Sequence, residues 1–405
     1  MNKTKRWMPW LVWGLGACYV LYQFLLQSSI SVMIPPLKAS FHIDQVGIGM
    51  LSSSFFYTYL LMQIPAGMLV DRLGPRRMLT FSIVIASLSC FLFASVHELH
   101  LAEASRMLMG FVAAPSVVAA LALGAHWFPP ARFAFIVGLT EMFGMLGGAL
   151  GQVVLAHCIE TSLGWRGTMA ITGFLGILLA MLVWTFVFDY PQSQPKEVLK
   201  EEAKLNVAQM LTVFSQAQVW IVGLYSGLMF AVLSGFASLW SIVFLQKSHH
   251  LDLNTAALAG SMVFVGAALG SPLFGYLAAR YHKAKAMMSA ASLIVFVLIS
   301  GLLFVKALSL TSIFVVLFLL GLFASSYVLP FALASEMVNA RLKGTTMGFI
   351  NMLCIIIGAP FLQFLVGVLL HMSNNHYAFA LSVFPVSFLL AFILVFFVKQ
   401  PARGV

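Results

Sequence analysis

Long apolar segments alternate with short polar stretches along the chain. Each segment spans about 20 residues or more, the length that an α-helix needs to cross the hydrocarbon core of a bilayer, whereas a barrel strand needs only about 10. The pattern therefore predicts an all-α membrane protein of twelve transmembrane helices. These lie at residues 9–33, 46–70, 77–96, 102–127, 133–158, 168–188, 217–246, 255–279, 286–305, 311–337, 344–371 and 377–398.

The longest polar stretch divides the predicted helices into two sets of six. We expect an N-terminal six-helix bundle at 1–188, a linker at 189–216 and a C-terminal six-helix bundle at 217–405. One face of the linker is apolar and the other is charged, which predicts an amphipathic helix lying on the membrane surface. The apolar face comprises Leu199, Ala203, Val207, Met210 and Phe214.

Composition supports a lipid environment. Hydrophobic residues make up 61% of the 405 residues and charged residues only 8%, whereas soluble domains carry roughly 25% charged residues. The net charge of +10 is distributed in short clusters between apolar runs, so it indicates membrane anchoring and not nucleic-acid binding. The four cysteines have no metal-ligand spacing, and no phosphate-binding loop or catalytic constellation is present. We expect no enzyme activity, no metal and no cofactor.

Orientation follows from the distribution of Lys and Arg. If the N-terminus is cytoplasmic, seventeen Lys and Arg fall in cytoplasmic segments and four in outer ones, namely Lys38, Arg166, Lys247 and Lys306. Cytoplasmic loops are enriched in these residues. The sequence therefore predicts a multi-pass protein of the bacterial inner membrane with both termini in the cytoplasm. Eight of the ten histidines fall on the outer side, where metal binding and pH sensing are alternatives to simple loop polarity.

Two regions of the chain repeat at a nearly constant offset. Gly67 to Arg77, after the second predicted helix, aligns with 275–285 after the eighth. Ala131-Arg132 and Ala340-Arg341 also begin alike, with Gly138 six residues after Arg132 and Gly348 seven residues after Arg341. Two parallel six-helix repeats are one of the architectures of secondary transporters.

These motifs resemble those of the major facilitator superfamily over nearly the whole chain. Gly67-Met-Leu-Val-Asp71-Arg72-Leu-Gly74-Pro-Arg76-Arg77 is similar to the family pattern G-x-L-x-D-R-x-G-R-R, with Pro75 as an extra residue. Arg106-Met-Leu-Met-Gly110 matches R-x-x-x-G on the fourth helix. Trp127 to Arg132 and Gly164-Trp165-Arg166 resemble the anion:cation symporter branch. The fifth-helix pattern of many drug antiporters is not met, because Gly144 stands at the position of its Pro.

Two charged residues inside predicted spans are candidates for function. A charge at the bilayer centre costs about 2.5–3.5 kcal/mol on insertion scales. Arg106 is expected either to face the central cavity, where it would bind an anionic group or help in proton coupling, or to be structural, with its charge at the outer interface or on neighbouring carbonyl groups. Glu141 lies mid-helix, and a carboxyl among apolar neighbours can hold and release a proton near neutral pH. We therefore interpret Glu141 as a proton carrier, with a structural hydrogen-bonded Glu as the alternative.

Polar side chains inside the spans predict the lining of the cavity. Tyr19, Gln23 and Gln27 recur every four residues on the first helix, with Tyr22 beside them, and such a stripe cannot face lipid. Hydrogen bonding between helices is the alternative role. The candidate substrate-binding residues are Tyr19, Tyr22, Gln23, Gln27, Tyr57, Arg106, Tyr225, Tyr327 and Asn351.

The charged loop after the second helix predicts a gate. Asp71 among Arg72, Arg76 and Arg77 would link the two halves and hold one access state. Gly67 would allow close helix approach, and Gly74 a tight turn. Glu336 is the expected C-terminal counterpart, because Asp71 aligns with Ala279.

Together these features predict a monomeric secondary transporter that moves a small-molecule substrate and protons across the lipid bilayer by alternating access. The favoured function is proton-coupled uptake of a small polar solute, anionic or zwitterionic. A proton-driven exporter of drugs, siderophores or metabolites is the alternative. A receptor or scaffold without transport activity would not require an interior Arg, Glu and polar stripe together.

Overall fold

The computed structural model describes residues 7–191, 215–281, 283–305, 308–337 and 343–399, and these residues form twelve helical elements. The first six are α1 (Met8–Ser28 and Ile30–Phe41), α2 (Gln45–Leu73), α3 (Pro75–Ser95), α4 (Leu99–Ala113 and Pro115–Trp127), α5 (Pro130–Glu160) and α6 (Gly164–Phe186). The others are α7 (Ala217–Ala231, π-helical Val232–Trp240 and Ser241–Ser248), α8 (Leu253–Tyr281), α9 (Ala284–Phe304), α10 (Leu310–Ala324, 3₁₀ Ser325–Val328 and Leu329–Met337), α11 (Lys343–Ile356, π-helical Ile357–Phe361 and Leu362–Met372) and α12 (Tyr377–Ala380 and Val383–Phe397). The predicted amphipathic face at 199–214 lies outside the described residues.

Eleven of these elements are long and apolar enough to cross a membrane, judged on the described residues. The remaining one, α2, is a helix of 29 residues in the same bundle. Three consecutive serines (52–54) and Tyr57, Thr58 and Tyr59 lower its hydropathy. The all-α membrane fold expected from the sequence is confirmed.

The two sets of six helices pack in the same pairs. In the N-terminal half α1 packs against α5, α2 against α4 and α3 against α6. The C-terminal half repeats this arrangement with α7 and α11, α8 and α10, and α9 and α12. Between the halves α2 packs against α11 and α5 against α8, which a pseudo-two-fold axis would exchange.

Close helix approach in each half depends on glycine, and one pair of positions is equivalent in the two halves. A Cβ atom on Gly110 of α4 would overlap the backbone carbonyl of Phe55 on α2. A Cβ atom on Gly321 of α10 would likewise overlap the carbonyl of Val263 on α8. These contacts give the glycine of the R-x-x-x-G motif a packing role.

The two halves are joined at one end of the bundle. We name this end, which carries the α1–α2 and α11–α12 loops, the Asp44 end, and the opposite end, with the α2–α3 turn, the Arg76 end. At the Asp44 end, Gln45 Nε2 donates to Asn375 Oδ1 (2.9 Å) and to the Tyr377 hydroxyl (3.1 Å). Asp44 pairs with His371 at 2.7 Å, and Asn254 binds Glu160.

A further contact between the halves lies deeper in the bundle. Gln152 on α5 donates through Nε2 to the carbonyl of Ala237, inside the π-helical turn of α7. The bundle is therefore closed from the Asp44 end down to this level.

Candidate functional site

A cavity of about 400 Å³ lies between the halves, on the Arg76 side of the closing contacts. Helices α1, α2, α4 and α5 form one wall, and α7, α10 and α11 form the other. The lining residues are Phe24, Gln27, Phe56, Tyr59, Gln63, Ala114, Val117, Val118, Val137, Glu141, Met145, Phe230, Tyr327, Val328, Phe331, Asn351, Cys354 and Ile355. Aromatic and aliphatic side chains dominate, with a few polar groups between them, as in most small-molecule sites.

Glu141 is the one charged side chain in this lining. Among the described residues its carboxyl makes no ion pair and no side-chain hydrogen bond. Two phenols, Tyr59 of α2 and Tyr327 of α10, line the same cavity from opposite halves. A carboxyl placed in this way can take up or release a proton without breaking an ion pair.

The other polar groups of the lining are amides and phenols. Gln63 of α2 and Asn351 of α11 approach each other across the cavity at 3.5 Å between Oε1 and Nδ2. Gln27 adds a third amide from α1. These side chains can donate to and accept from carboxyl or hydroxyl groups of a bound solute.

The cavity therefore brings together Gln27, Tyr327 and Asn351, which the sequence predicts as substrate-binding residues, and Glu141, which it predicts as the proton carrier. The sequence analysis missed Tyr59 and Gln63, and also aromatic residues such as Phe24 and Phe230. Phe56, Tyr59 and Gln63 are spaced by three and four residues, so they share one face of α2. This spacing is the feature of the sequence that indicates a shared position for these three side chains.

Arg106 does not line the cavity in this structure. Its side chain is fully buried within the N-terminal half and donates through Nη1 to the carbonyl of Leu26 (2.8 Å) and through Nη2 to that of Gln27 (3.5 Å). Its guanidinium carbon also lies 5.0 Å from the centre of the Phe55 ring. In this conformation Arg106 makes a structural contact, which is the alternative stated above, and its direct contact with a solute stays a prediction.

Arg106 binds carbonyls beside the one-residue interruption of α1 at Ser29. The carbonyl of Leu26 also accepts from the Ser29 hydroxyl (2.8 Å) and from the Ser29 N–H (3.4 Å). The guanidinium therefore adds a charged donor at this interruption. No carboxylate pairs with Arg106 among the described residues, so its charge is uncompensated there.

Three of the other predicted lining residues bind backbone carbonyls away from the cavity. Tyr19 donates to the carbonyl of Val112 (2.5 Å), and Tyr22 donates to that of Thr172 (3.1 Å), both inside the N-terminal half. Tyr225 donates to the carbonyl of Met288 at 2.9 Å in the C-terminal half. Because α1 and α7 are surrounded by neighbouring helices, polar groups on several of their faces find partners without reaching the cavity.

Gln23 and Tyr57 also lie outside the cavity lining, Gln23 buried within the bundle and Tyr57 exposed on its surface. Gln23 is 1% exposed, and both its amide atoms lack a hydrogen-bond partner among the described residues, but it is not part of the lining. Tyr57 is 41% exposed on the outside of the bundle. The latter position suits a phenol at a lipid-facing surface.

The predicted gate has a different geometry from the one expected. Arg76 does not cross to the other half: its backbone N–H donates to Asp189 Oδ1 (2.7 Å), and its guanidinium donates to the carbonyl of Trp184 (2.5 Å). Arg72 and Arg77 are exposed. The side chains of Asp71 and Glu336 lie outside the described part of the structure, so their role stays a prediction.

The two glycines of this motif differ. Gly74 has φ of +83°, which favours glycine, and forms the turn between α2 and α3. A Cβ atom on Gly67 would meet nothing within 4 Å, so no close helix approach depends on it.

The described residues contain no group of three or more His, Cys, Asp or Glu side chains arranged to hold a metal ion. This search includes the described histidines of the Asp44 end. The arrangement as a whole is that of a membrane carrier with a central cavity between two similar halves.

Residues 15–354 and 226–405 match the Major Facilitator Superfamily, and the chain belongs to this family of membrane transporters. It is 26% identical over 210 residues to an uncharacterized transporter, YybO, of Bacillus subtilis, a match covering 52% of this chain and 47% of that protein. It is 23% identical to a probable sulfoacetate transporter of Cupriavidus necator, over 74% of this chain and 72% of the relative. A probable L-galactonate transporter of Escherichia coli is 27% identical, over 63% and 58%.

Solved structures give the same fold. A bacterial homologue of the human lysosomal transporter Spinster, in an inward-facing and occupied conformation, superposes with a TM-score of 0.79 at 16% identity, covering 98% of this chain and 100% of that one. A mutant form of the nucleoside transporter NupG gives a TM-score of 0.79 at 14% identity, over 96% and 100%. The chain spans 47% of the length of YybO and 58% of the length of the L-galactonate transporter.

Proposed function

We propose that this protein is a proton-coupled symporter that takes up a small organic anion across the bacterial inner membrane. In this proposal the Asp44 end faces the periplasm and both termini face the cytoplasm. The described conformation is then the one with its cavity on the cytoplasmic side. The observation that carries the proposal is Glu141, an acid that faces a cavity between the two halves and has no cationic partner among the described residues.

The positions of two opposite charges support coupling between proton binding and anion binding. Arg106 keeps a fixed positive charge behind the α1 wall, whereas Glu141 can be negative or neutral at the cavity surface. A bound anion about 5 Å from an ionised Glu141 would be repelled by roughly 3 kcal/mol at an effective dielectric of about 20. Protonation of Glu141 removes that repulsion and adds a hydrogen-bond donor, while the field of Arg106 remains.

Proton and anion then bind as a pair. The free energy by which the proton favours the anion must equal that by which the anion favours the proton. A repulsion of roughly 3 kcal/mol corresponds to about a hundredfold change in affinity. With such coupling, most carriers hold either both the proton and the anion or neither, and few hold only one of them. The forms that reorient across the membrane are then mainly the loaded and the empty carrier.

The solute class is suggested by the lining and by the relatives. Gln27, Gln63 and Asn351 provide amides for hydroxyl or carboxyl groups, and the aromatic residues suit the faces of a ring. The relatives named above as transporters of sulfoacetate and L-galactonate, together with a galacturonate transporter of Dickeya chrysanthemi that is 23% identical over 70% of this chain, would all carry organic acids. We therefore propose a hydroxylated carboxylate or a sulfonate.

The proposal is tested by ligand-dependent thermal stability of the purified full-length protein. A ligand raises apparent stability according to its concentration relative to Kd. We expect galacturonate or sulfoacetate to raise the Tm more at about pH 5.5 than at about pH 8, because a protonated Glu141 admits the anion. Galactose, which matches galacturonate without its carboxylate, is the control.

The Glu141→Gln variant isolates the coupling. Its side chain resembles the protonated carboxyl at every pH, so the anion should stabilise it equally at both pH values. Equal stabilisation of the wild type at both pH values, or an equal response to galactose, would contradict the proposal.

A further inference from the structure

A second cavity, of about 550 Å³, lies at the Asp44 end above the contacts that close the bundle. It is lined by Lys38 and Gln45 from the N-terminal half and by Lys247, Ser248, Asn375, His376, Tyr377 and Ala378 from the C-terminal half. Both halves thus contribute side chains to it. It is separate from the central cavity, with which it shares no lining residue.

The charges of this second cavity are all of one sign. Lys38 and Lys247 each contribute an ammonium group, and no Asp or Glu is among the lining residues. Neither lysine makes an ion pair among the described residues. The nearby acid, Asp44, is already occupied by His371 and by the N–H of Gly47 (2.9 Å).

The position of these lysines is also unusual for their side of the membrane. At the Asp44 end the described Lys and Arg residues are Lys38, Arg166 and Lys247. Arg166 binds the carbonyl of Val96 at 2.8 Å, whereas both lysines border one cavity. Outer segments normally avoid such residues, so anchoring does not account for the convergence of two of them.

The neutral groups complete a site for an anion that also carries a hydroxyl. The Tyr377 hydroxyl and the Asn375 Oδ1 accept from Gln45 Nε2, which leaves the phenolic proton and the Asn375 amide protons available to donate. Gln45 is 5% exposed, and its Oε1 is buried without a partner among the described residues. An unpartnered buried acceptor is costly, and a hydroxyl group of a ligand would satisfy it.

We propose that this cavity binds a small organic anion, with its carboxylate or phosphate held between Lys38 and Lys247. The bound anion would join the two halves and so stabilise the conformation closed at the Asp44 end. A ligand shifts an equilibrium toward the state that it binds more tightly. The site goes beyond the proposed function, because it needs neither Glu141 nor the central cavity.

An anionic lysine reagent tests the site directly. Pyridoxal 5′-phosphate condenses through its aldehyde with a lysine amine, releasing water to form an imine, which borohydride reduces to a stable secondary amine. The full-length protein in lipid nanodiscs is treated briefly, and the modification of Lys38 and Lys247 is quantified by peptide mass spectrometry. 5-Deoxypyridoxal, which has the same free aldehyde but neither the phosphate nor a hydroxyl that could mask the aldehyde as an internal hemiacetal, gives the reference rate.

We expect the phosphate reagent to modify Lys38 at least about fivefold faster than 5-deoxypyridoxal does, because Lys247 holds its phosphate nearby. Lys247→Gln should remove this advantage without changing the rate with 5-deoxypyridoxal. Lys283→Gln, which removes one charge at the Arg76 end, is the matched control and should change neither rate. Sulfate should protect Lys38 more than chloride does at equal ionic strength.

Equal rates with the two reagents, or a phosphate advantage that survives Lys247→Gln, would overturn the proposal, since exposure alone would then explain the labelling. The result is independent of the central cavity. Glu141→Gln should leave the labelling pattern unchanged, so failure of proton coupling and failure of this anion site are distinguished.

Discussion

The two halves of this protein use the same packing but carry different chemistry. Gly110 in the N-terminal half and Gly321 in the C-terminal half make equivalent close contacts with the backbone of a neighbouring helix. Arg106 precedes the first glycine by four residues, and Leu317 precedes the second by four. Both side chains are fully buried, so the same position holds a charge in one half and a hydrocarbon in the other.

Glu141 shows the same contrast. It follows Arg132 by nine residues, and Ile350 follows the aligned Arg341 by nine. Ile350 is fully buried, whereas Glu141 borders the cavity. The comparison teaches that the scaffold is shared by both halves, and that the two charged groups of the proposed transport mechanism, Arg106 and Glu141, belong to the first half.

The largest expected effect tests the shared scaffold. Gly110→Ala and Gly321→Ala should each destabilise the folded protein by at least about 3 kcal/mol, because the new Cβ would force two helices apart. The measurement is Tm and yield of folded protein in detergent. Gly67→Ala and Gly275→Ala are matched controls, since a Cβ atom there meets nothing within 4 Å.

If only one of the two close-contact glycines tolerates alanine, the halves do not share the same packing constraint. A loss of stability in the two control variants would instead indicate a general sensitivity of these helices to added side-chain volume.

A smaller effect is expected from the charge that only the first half carries. Arg106→Gln should weaken binding of an organic anion about tenfold, because it removes a positive charge behind the cavity wall. Arg106→Lys should keep affinity within about threefold, since it preserves the charge. Kd for the anion is measured for both variants after their folding has been checked.

This pair of variants separates two roles of Arg106. A direct contact through the planar guanidinium would make Lys nearly as harmful as Gln, whereas a purely structural role would leave the Kd of both folded variants unchanged.

The smallest expected effect concerns tyrosines that bind backbone carbonyls in both halves. Tyr19→Phe and Tyr225→Phe should each lower the free energy of unfolding by about 1 kcal/mol, because a buried carbonyl loses its donor. Substrate Kd should stay within about twofold. A loss of substrate affinity without a loss of stability in either variant would indicate that this tyrosine contacts the substrate, as the sequence predicts.

The helices and their grouping could be predicted from the sequence because length and hydropathy alone determine which segments cross a bilayer. The lining was harder to predict. Tyr19 and Gln27 belong to one polar stripe on α1, yet Gln27 lines the cavity, whereas Tyr19, eight residues earlier, is covered by α4 and donates to the carbonyl of Val112. Periodicity shows that a face is polar, but it does not show which neighbour satisfies it.

The environment of Arg106 could not be predicted for a different reason. Its acceptors, the carbonyls of Leu26 and Gln27, are backbone groups about eighty residues away in the chain. They lie beside the interruption of α1 at Ser29. Glu141 was easier to identify, because a lone carboxyl in the middle of an apolar helix has few structural explanations.

The most direct test of the account compares two transport modes of Glu141→Gln in proteoliposomes. With the organic anion that stabilises the protein, wild type should accumulate it when a proton gradient is imposed and should exchange it at equal pH. Glu141→Gln should lose accumulation driven by the gradient and keep exchange, because exchange requires only that the loaded carrier reorient. Gradient-driven accumulation by Glu141→Gln at the wild-type level would contradict the account.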